Sequence, residues 1–365
     1  MNNLSFDWHV AERFTPLKAI KPAHLEDLFS YSSLENICAG DLIFERDCAK
    51  REHIFLVHGA VQYAYASGFV EELSAEDCTG PLKHEVPRPC RCIALTDCTL
   101  LVIDSQRLDK ALSWSQIGEY LTSELSMRRE LDIDSTWIQT IIDSNLFFKI
   151  PPVNVEKIIS AMTVQQVKTG EEIVRQGEAG DACYFIKSGK ASVIRSNKDG
   201  QVIPLADIGE GRCFGEDALI DHTTRNATVT MTAGGELMVL AKSDFDGLLE
   251  EPSVEAYTEQ ELHRIDHPII YIDVRTQAEY EEGHLVLSAN MPLSILNLKK
   301  RILSKDKHYV FYCDSGRRSV AAAYLLNKDG LHASVIKDGL QGAGMQYQLV
   351  KDSMHIIKNG ELVKA

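Results

Sequence analysis

VKTGEEIVRQGEAGDACYFIKSGKAS, residues 167–192, decides the architecture, because it lies without a gap over ICAGDLIFERDCAKREHIFLVHGAVQ, residues 37–62, at an offset of 130. Under that offset Gly40 falls on Gly170, Ile43 on Ile173, Ile54 on Tyr184, Leu56 on Ile186 and Gly59 on Gly189. The register also reaches back to Ile20 and Pro22, which meet Ile150 and Pro152. Further on, TLLVIDSQRLDKAL (99–112) matches ELMVLAKSDFDGLL (236–249) at an offset of 137, so the first copy lacks seven residues between the two blocks. A unit written twice in one chain fixes the fold class of both copies together.

Each copy alternates short β-type runs such as CYFIK, KASVIRS and IPLADI with Gly-Asp and Asp-Gly turns, the pattern of a small antiparallel barrel. Helical patterns flank the barrels: VNVEKIISAM precedes the second, and SDFDGLLEEPSVEAYTEQELHRI is read as a helix running from Ser243 into Ile265. Between the copies the apolar spacing predicts a connecting helix. From about Asp266 the apolar runs PIIYIDV, HYVFYC and HASVIK alternate with helical stretches, which predicts a third, α/β domain with a parallel sheet. The expected organisation is a multidomain α+β and α/β chain: a first barrel domain over 1–115, a helical linker over 116–140, a second barrel domain over 141–255 and the α/β domain over 262–365.

The 365 residues carry a formal net charge of -15, which argues against sequence-independent binding to nucleic acid or to an anionic membrane. No basic helix-turn-helix is present, so no nucleic-acid partner is expected. No run of eighteen apolar residues and no cationic leader occur, so a cytoplasmic chain without a membrane span is expected. The nine cysteines are odd in number and lack framework spacing, which reads as reduced thiols. Cys90 and Cys92, with Cys78 and Cys98 nearby, lack the paired spacing of a zinc site, and no metal is expected. The histidines and aromatics of the barrels read as core or surface residues rather than ligands.

The block that the first copy lacks is CFGEDALIDHTTRNATVT, residues 213–230. Gly215 would let backbone amides approach an anion, Glu216 could accept from a sugar hydroxyl, and Arg225 could neutralise one phosphate charge. The stretch resembles the phosphate-binding cassette of the cyclic nucleotide-binding domain family through Phe214, Gly215, Glu216, Ala218, Leu219, Arg225, Ala227 and Thr228. The resemblance implies a nucleotide site built from Gly215, Glu216, Asp217, Ala218, Arg225, Asn226 and Ala227, with cyclic AMP expected ahead of cyclic GMP as a regulatory ligand. Asn226 departs from the small or hydroxyl residue usual after the arginine. In the first copy Arg88 takes the arginine position, but no Gly-Glu pair precedes it, and Pro89 and Arg91 crowd the positions after it. The first barrel is therefore read as a degenerate copy without ligand.

VFYCDSGRRSV, residues 310–320, places one thiol between an apolar strand and the start of an alanine-rich helix. Loop amides and the helix end would stabilise the thiolate of Cys313 and lower its pKa, making the sulfur reactive at neutral pH. The stretch resembles the active loop of the rhodanese family through Cys313, Gly316, Arg318 and Ser319. Upstream, YIDVRTQAEYEEGHLVLSANMP resembles the same family through Asp273, Arg275, Glu279, Tyr280, Gly283, His284, Asn290 and Pro292; the tryptophan usual after the loop is absent. The resemblance implies a sulfurtransferase that carries a persulfide on Cys313, with Arg318 ordering the loop, Ser319 capping the helix, and Asp314, Ser315, Gly316 and Arg317 completing the site. The partners implied are a small-molecule or protein sulfur donor and a thiol acceptor, and an oligomer is compatible with the pattern. Four residues between Cys313 and Arg318 disfavour a phosphatase or arsenate reductase, whose loop is one residue longer. A nucleotide sensor with an inactive third domain is the other reading. Asp314 places a negative charge beside the thiol, which Arg317 is expected to offset.

Overall fold

The computed structural model describes residues 9–84, 87–127, 152–197, 199–220, 222–248, 253–265, 268–342, 349–351 and 353–365. The chain forms two compact units: Met1–Tyr120 together with Ser253–Ala365, and Leu121–Pro252. The first barrel and the α/β domain thus belong to one unit, and the second barrel to the other.

The repeat is visible strand by strand. Ser33–Ile37, Leu42–Phe44 and the pair Glu52–His58 and Ala60–Tyr65 in the first barrel return in the second as Thr163–Val167, Glu172–Val174 and the single strand Ala182–Ser196. Cys98–Asp104 returns as the end of Thr228–Ala241. The first barrel closes from a three-stranded and a four-stranded antiparallel sheet, and the second from one six-stranded sheet dominated by the pairing of its two long strands. Gly59 and Gly189 explain one shared feature: both have positive φ (99° and 104°), and a Cβ there would meet Asp97 O at 2.6 Å or Ala233 O at 2.8 Å. The offset of 130 also pairs Phe55 with Phe185, and both are fully buried.

The seven-residue difference has a structural counterpart. The second barrel inserts the short strand Cys213–Phe214 and the helix Glu216–Ile220 before Thr228–Ala241. The first has no helix among the described residues between Ala75 and Cys90. The helix Ser105–Met127 then leaves the first barrel; the rest of the expected 116–140 linker, and the start of the expected 141–255 domain, lie outside the described residues.

The α/β domain contains a seven-stranded sheet in the order Ala256–Tyr257, His332–Ile336, His308–Tyr312, Ile269–Asp273, Ser288–Asn290, His355–Lys358, Glu361–Lys364. All pairs are parallel except the last. The three apolar runs picked out in the sequence are its central strands, buried on both faces as parallel strands are. One expectation fails here. The helix expected from Ser243 to Ile265 is two helices, Lys242–Leu248 and Glu259–Leu262, and Ala256–Tyr257 is instead a strand on Val335 and Ile336. Edge pairing gives Ala256 and Tyr257 a ladder that a helix could not.

Truncating Phe55 or Phe185 to Ala removes matched core aromatics, and each substitution is expected to destabilise its own barrel by about 3–5 kcal/mol. Urea unfolding followed by tryptophan fluorescence and far-UV circular dichroism checks this, with the two variants moving different transitions.

Candidate functional site

Strand His308–Tyr312 delivers Cys313 to the floor of a loop that closes onto the helix Arg317–Lys328. The loop turns at Gly316, whose φ of 94° favours glycine, and Gly316 N–H donates to Cys313 Sγ at 3.2 Å. Ser319 Oγ donates back to Gly316 O at 2.9 Å and lies 3.8 Å from the sulfur, so it braces the loop rather than capping a free amide. Arg317 points to solvent, whereas Arg318 is completely buried.

Arg318 organises everything around the thiol. Its guanidinium makes a two-pronged pair with Glu279 (2.9 and 2.8 Å), donates through Nε to Asp109 Oδ1 at 2.5 Å and lies 3.5 Å from Asp314 Oδ2. Glu279 is held by the capping box of the helix Gln277–Glu282, where its carboxylate accepts from Thr276 N–H at 2.9 Å. Arg275 pairs with Asp273 at 2.8 Å and with Asp314 at 3.1 Å. Burial alone would raise the Asp314 carboxyl, but Arg275 and then Arg318 outweigh it and hold the group at about 2. Asp314 is thus offset chiefly by Arg275 and Arg318, ahead of the Arg317 expected from the sequence.

Asp109 is the residue that sequence reasoning missed. It comes from the Ser105–Met127 helix of the first barrel, and its carboxylate accepts from Ser315 Oγ at 2.5 Å and from the Cys313 thiol at 3.6 Å. Cys313 has no exposed surface. Burial, reinforced by the Asp109 charge, pushes its thiol up to about 12, and the opposing pull of Arg318 does not prevail. The expectation of a thiolate poised at neutral pH is therefore corrected for this conformation: one loop amide does reach the sulfur, but desolvation and a facing carboxylate are larger effects.

In the second barrel the expected cassette residues converge on the turn before and after the helix Glu216–Ile220. Gly215 has φ of 85°, and a Cβ there would stand 2.7 Å from Arg225 Nη1. Arg225 is buried, donating to Gly215 O and Ala182 O (both 2.7 Å) and to Asp181 (2.9 Å). Glu216, Ala218 and Ala227 are buried, while Asp217 and Asn226 are exposed. Arg88 in the first barrel is also buried, and it donates to Leu82 O at 2.8 Å, to Lys83 O and to Glu52 O at 2.9 Å, the carbonyl that corresponds to Ala182 in the repeat. Its guanidinium covers the Phe44 ring at 4.5 Å. Cys78, Cys90, Cys92 and Cys98 lie in the core of this barrel, where burial pushes the Cys92 thiol up to about 12.

The cyclic nucleotide-binding domain family matches residues 34–113 and again 164–251, and the rhodanese-like domain family matches 256–344. The chain carries two cyclic nucleotide-binding domains followed by a rhodanese-like domain. Among curated proteins it is 39% identical over 93 residues to a cAMP-dependent protein kinase regulatory subunit of Yarrowia lipolytica, covering 26% of this chain and 24% of that protein. It is 32% identical over 114 residues to the cyclic AMP receptor protein of Thermus thermophilus, covering 31% and 53%. The crystal structure of the Thermus thermophilus catabolite activator protein matches 27% of this chain and 46% of its own at 33% identity, with a TM-score of 0.25. The chain spans between about a quarter and a half of the length of these relatives. Among the described residues no helix is long and apolar enough to cross a membrane.

The raised thiol pKa carries a pH prediction. Below the ordinary thiol value Cys313 is protonated in both folded and unfolded chains, and between about 9 and about 12 only the unfolded chain releases its proton, so stability falls as pH rises through that window. Alkylation of native protein by iodoacetamide at pH 8 should be slower at Cys313 than at a free thiol by about a hundredfold or more. Peptide mapping against Cys38, which is exposed, measures this.

Proposed function

We propose that this chain is a cyclic-nucleotide-responsive sulfurtransferase of rhodanese type, held in a closed resting state by Asp109. One observation carries the reading: the hydroxyl of Ser315 and the Nε of Arg318 converge on an oxyanion directly beside Cys313 Sγ, and the oxyanion they hold is the Asp109 carboxylate. A loop that grips a carboxylate there has the donors to grip an anionic sulfur donor once Asp109 withdraws. Withdrawal also removes the facing charge and part of the desolvation, the two largest causes of the raised thiol pKa. The Cys313 thiolate would then attack the sulfane sulfur of the donor. A new S–S bond forms at Cys313, the donor's own S–S bond breaks, and sulfite or a thiolate leaves with its electron pair. A thiol acceptor attacks the outer sulfur in the second half-reaction and restores Cys313.

For the regulatory half, the match to proteins named for cyclic AMP and the cassette around Gly215, Glu216 and Arg225 support cyclic AMP as ligand of the second barrel. The degenerate first barrel is assigned no nucleotide, because no Gly-Glu pair precedes Arg88 and no counterpart of the Glu216–Ile220 helix stands before it among the described residues. A second reading, a nucleotide sensor whose rhodanese-like domain serves as a docking module, is favoured by the complete burial of Cys313.

Mass spectrometry of Cys313 after incubation with thiosulfate or a persulfide donor separates the two. Asp109→Ala should accumulate the 313 persulfide at least about tenfold faster than wild type, Cys313→Ser should form none, and saturating cyclic AMP should raise the wild-type rate. Absence of persulfide in Asp109→Ala, with the fold intact, would leave the docking reading standing.

Titration of the full chain with labelled cyclic AMP tests the assignment of the barrels. Arg225→Ala should weaken binding by about 2 kcal/mol or more, the scale of a charge-assisted contact. Arg88→Lys should leave the stoichiometry at one.

A further inference from the structure

Against the Arg318 cluster lie two histidines that the sulfur chemistry does not use. His53, on strand Glu52–His58, and His84, on the connection after the first barrel's fifth strand, Val70–Ser74, meet Asp314 of the cysteine loop, with one ligand atom from each within 4.8 Å of the others. The two imidazoles stack at 5.0 Å between centroids, 27° apart. They border a cavity of about 70 Å3 whose wall includes Arg275, Glu279 and Glu282.

We infer that His53, His84 and Asp314 form a binding site for a divalent cation of the zinc class, which ties the first barrel to the cysteine loop. The second observation pointing to a cation is His53 itself. It is 3% exposed, and its Nδ1 sits 3.0 Å from Ser105 Oγ, which leaves Nε2 as the ring's remaining ligand atom. An imidazole fixed through one nitrogen by a hydroxyl, at the wall of a cavity that His84 and Asp314 also line, is held as a metal-ligating histidine is.

Charge points the same way. The buried carboxylates Asp109, Asp273, Glu279 and Asp314 face the guanidiniums Arg275 and Arg318, a formal surplus of two negative charges. Arg88, near His53, offsets part of that surplus, and Glu282 at the cavity wall, its carboxyl pushed up to about 7 by burial, restores only some of it. A net negative charge remains for a cation to balance. Two imidazoles with one carboxylate select zinc or a neighbouring transition ion over magnesium or calcium, which prefer oxygen alone. Bonds of about 2.0–2.1 Å place tetrahedral ligand atoms about 3.4 Å apart, so closure from 4.8 Å asks for a movement of roughly 1 Å, within reach of side-chain rotation at His84. The cavity has room for a water as the fourth ligand.

This site is independent of whether Cys313 transfers sulfur. The test uses the full chain, stripped with chelator and titrated with Zn2+ by calorimetry, with Co2+ absorption reporting ligand geometry. One ion per chain in the submicromolar range, with the Co2+ bands of a nitrogen and oxygen site, is expected. His84→Gln lies on a partly exposed connection and should retain the fold, checked by thermal unfolding, while weakening Zn2+ by about a hundredfold; Asp314→Asn should also weaken it. Binding unchanged in His84→Gln, a thiolate-type Co2+ spectrum, or affinity no better than millimolar would overturn the site.

Discussion

A guanidinium without water decides the character of this molecule. Arg318 is taken completely out of solvent and therefore requires carboxylates around it, and it draws them from three places: the cysteine loop, the helix Gln277–Glu282 and the first barrel. Leaving such a charge without its partner costs about 3–5 kcal/mol, so the barrel that supplies Asp109 and the loop that supplies Arg318 hold each other in place. The state of the thiol is a consequence. Arg318 would favour a thiolate, but its charge is already answered by Asp109, Glu279 and Asp314, and the sulfur is left with burial and a facing carboxylate.

The two barrels show one scaffold put to two uses. Arg88 and Arg225 stand at the same place in the repeat and donate to equivalent carbonyls, Glu52 O and Ala182 O. In the second barrel a glycine turn and the Glu216–Ile220 helix surround that arginine, while in the first the chain has shortened and Arg88 is closed in by Leu82 and Lys83 carbonyls over Phe44. The same side chain lies beside a glycine turn and a helix in one copy and over an aromatic ring in the other.

Much of this was legible in the sequence where the deciding forces are local. Gly59 and Gly189 are required by a positive φ, the strand bounds obey alternation and turns, and the central parallel strands are continuous apolar runs, so the offsets of 130 and 137 transfer directly onto strands. Loss of register came where tertiary contacts overrule local pattern. Ala256 and Tyr257 left a helical pattern for a sheet edge. Asp109 was hidden because it aligns with Asp246 of the other copy and reads as one more residue of the repeat, yet its partners stand more than two hundred residues away. The same separation hid the meeting of His53 and His84 with Asp314. The thiol was misjudged for a related reason: the amides that favour a thiolate, at Gly316 and Ser319, are three and six residues away in sequence, whereas the Asp109 carboxylate that disfavours it is more than two hundred residues away.

Release of Asp109 sets an energetic condition on the proposed regulation. The buried pair is worth about 3–5 kcal/mol against separation, whereas coupling between two ligand sites is typically about 1–3 kcal/mol. Nucleotide binding by itself is therefore too weak to leave Arg318 and Ser315 facing an empty cradle. The balance closes if a donor oxyanion takes over the same Nε and hydroxyl contacts as Asp109 leaves, since the guanidinium then never stands unpaired. The nucleotide need supply only the difference between two anions competing for one arginine. Asp109 itself is held in the second turn of the long helix Ser105–Met127, so its carboxylate leaves Arg318 only by side-chain rotation or by movement of that helix.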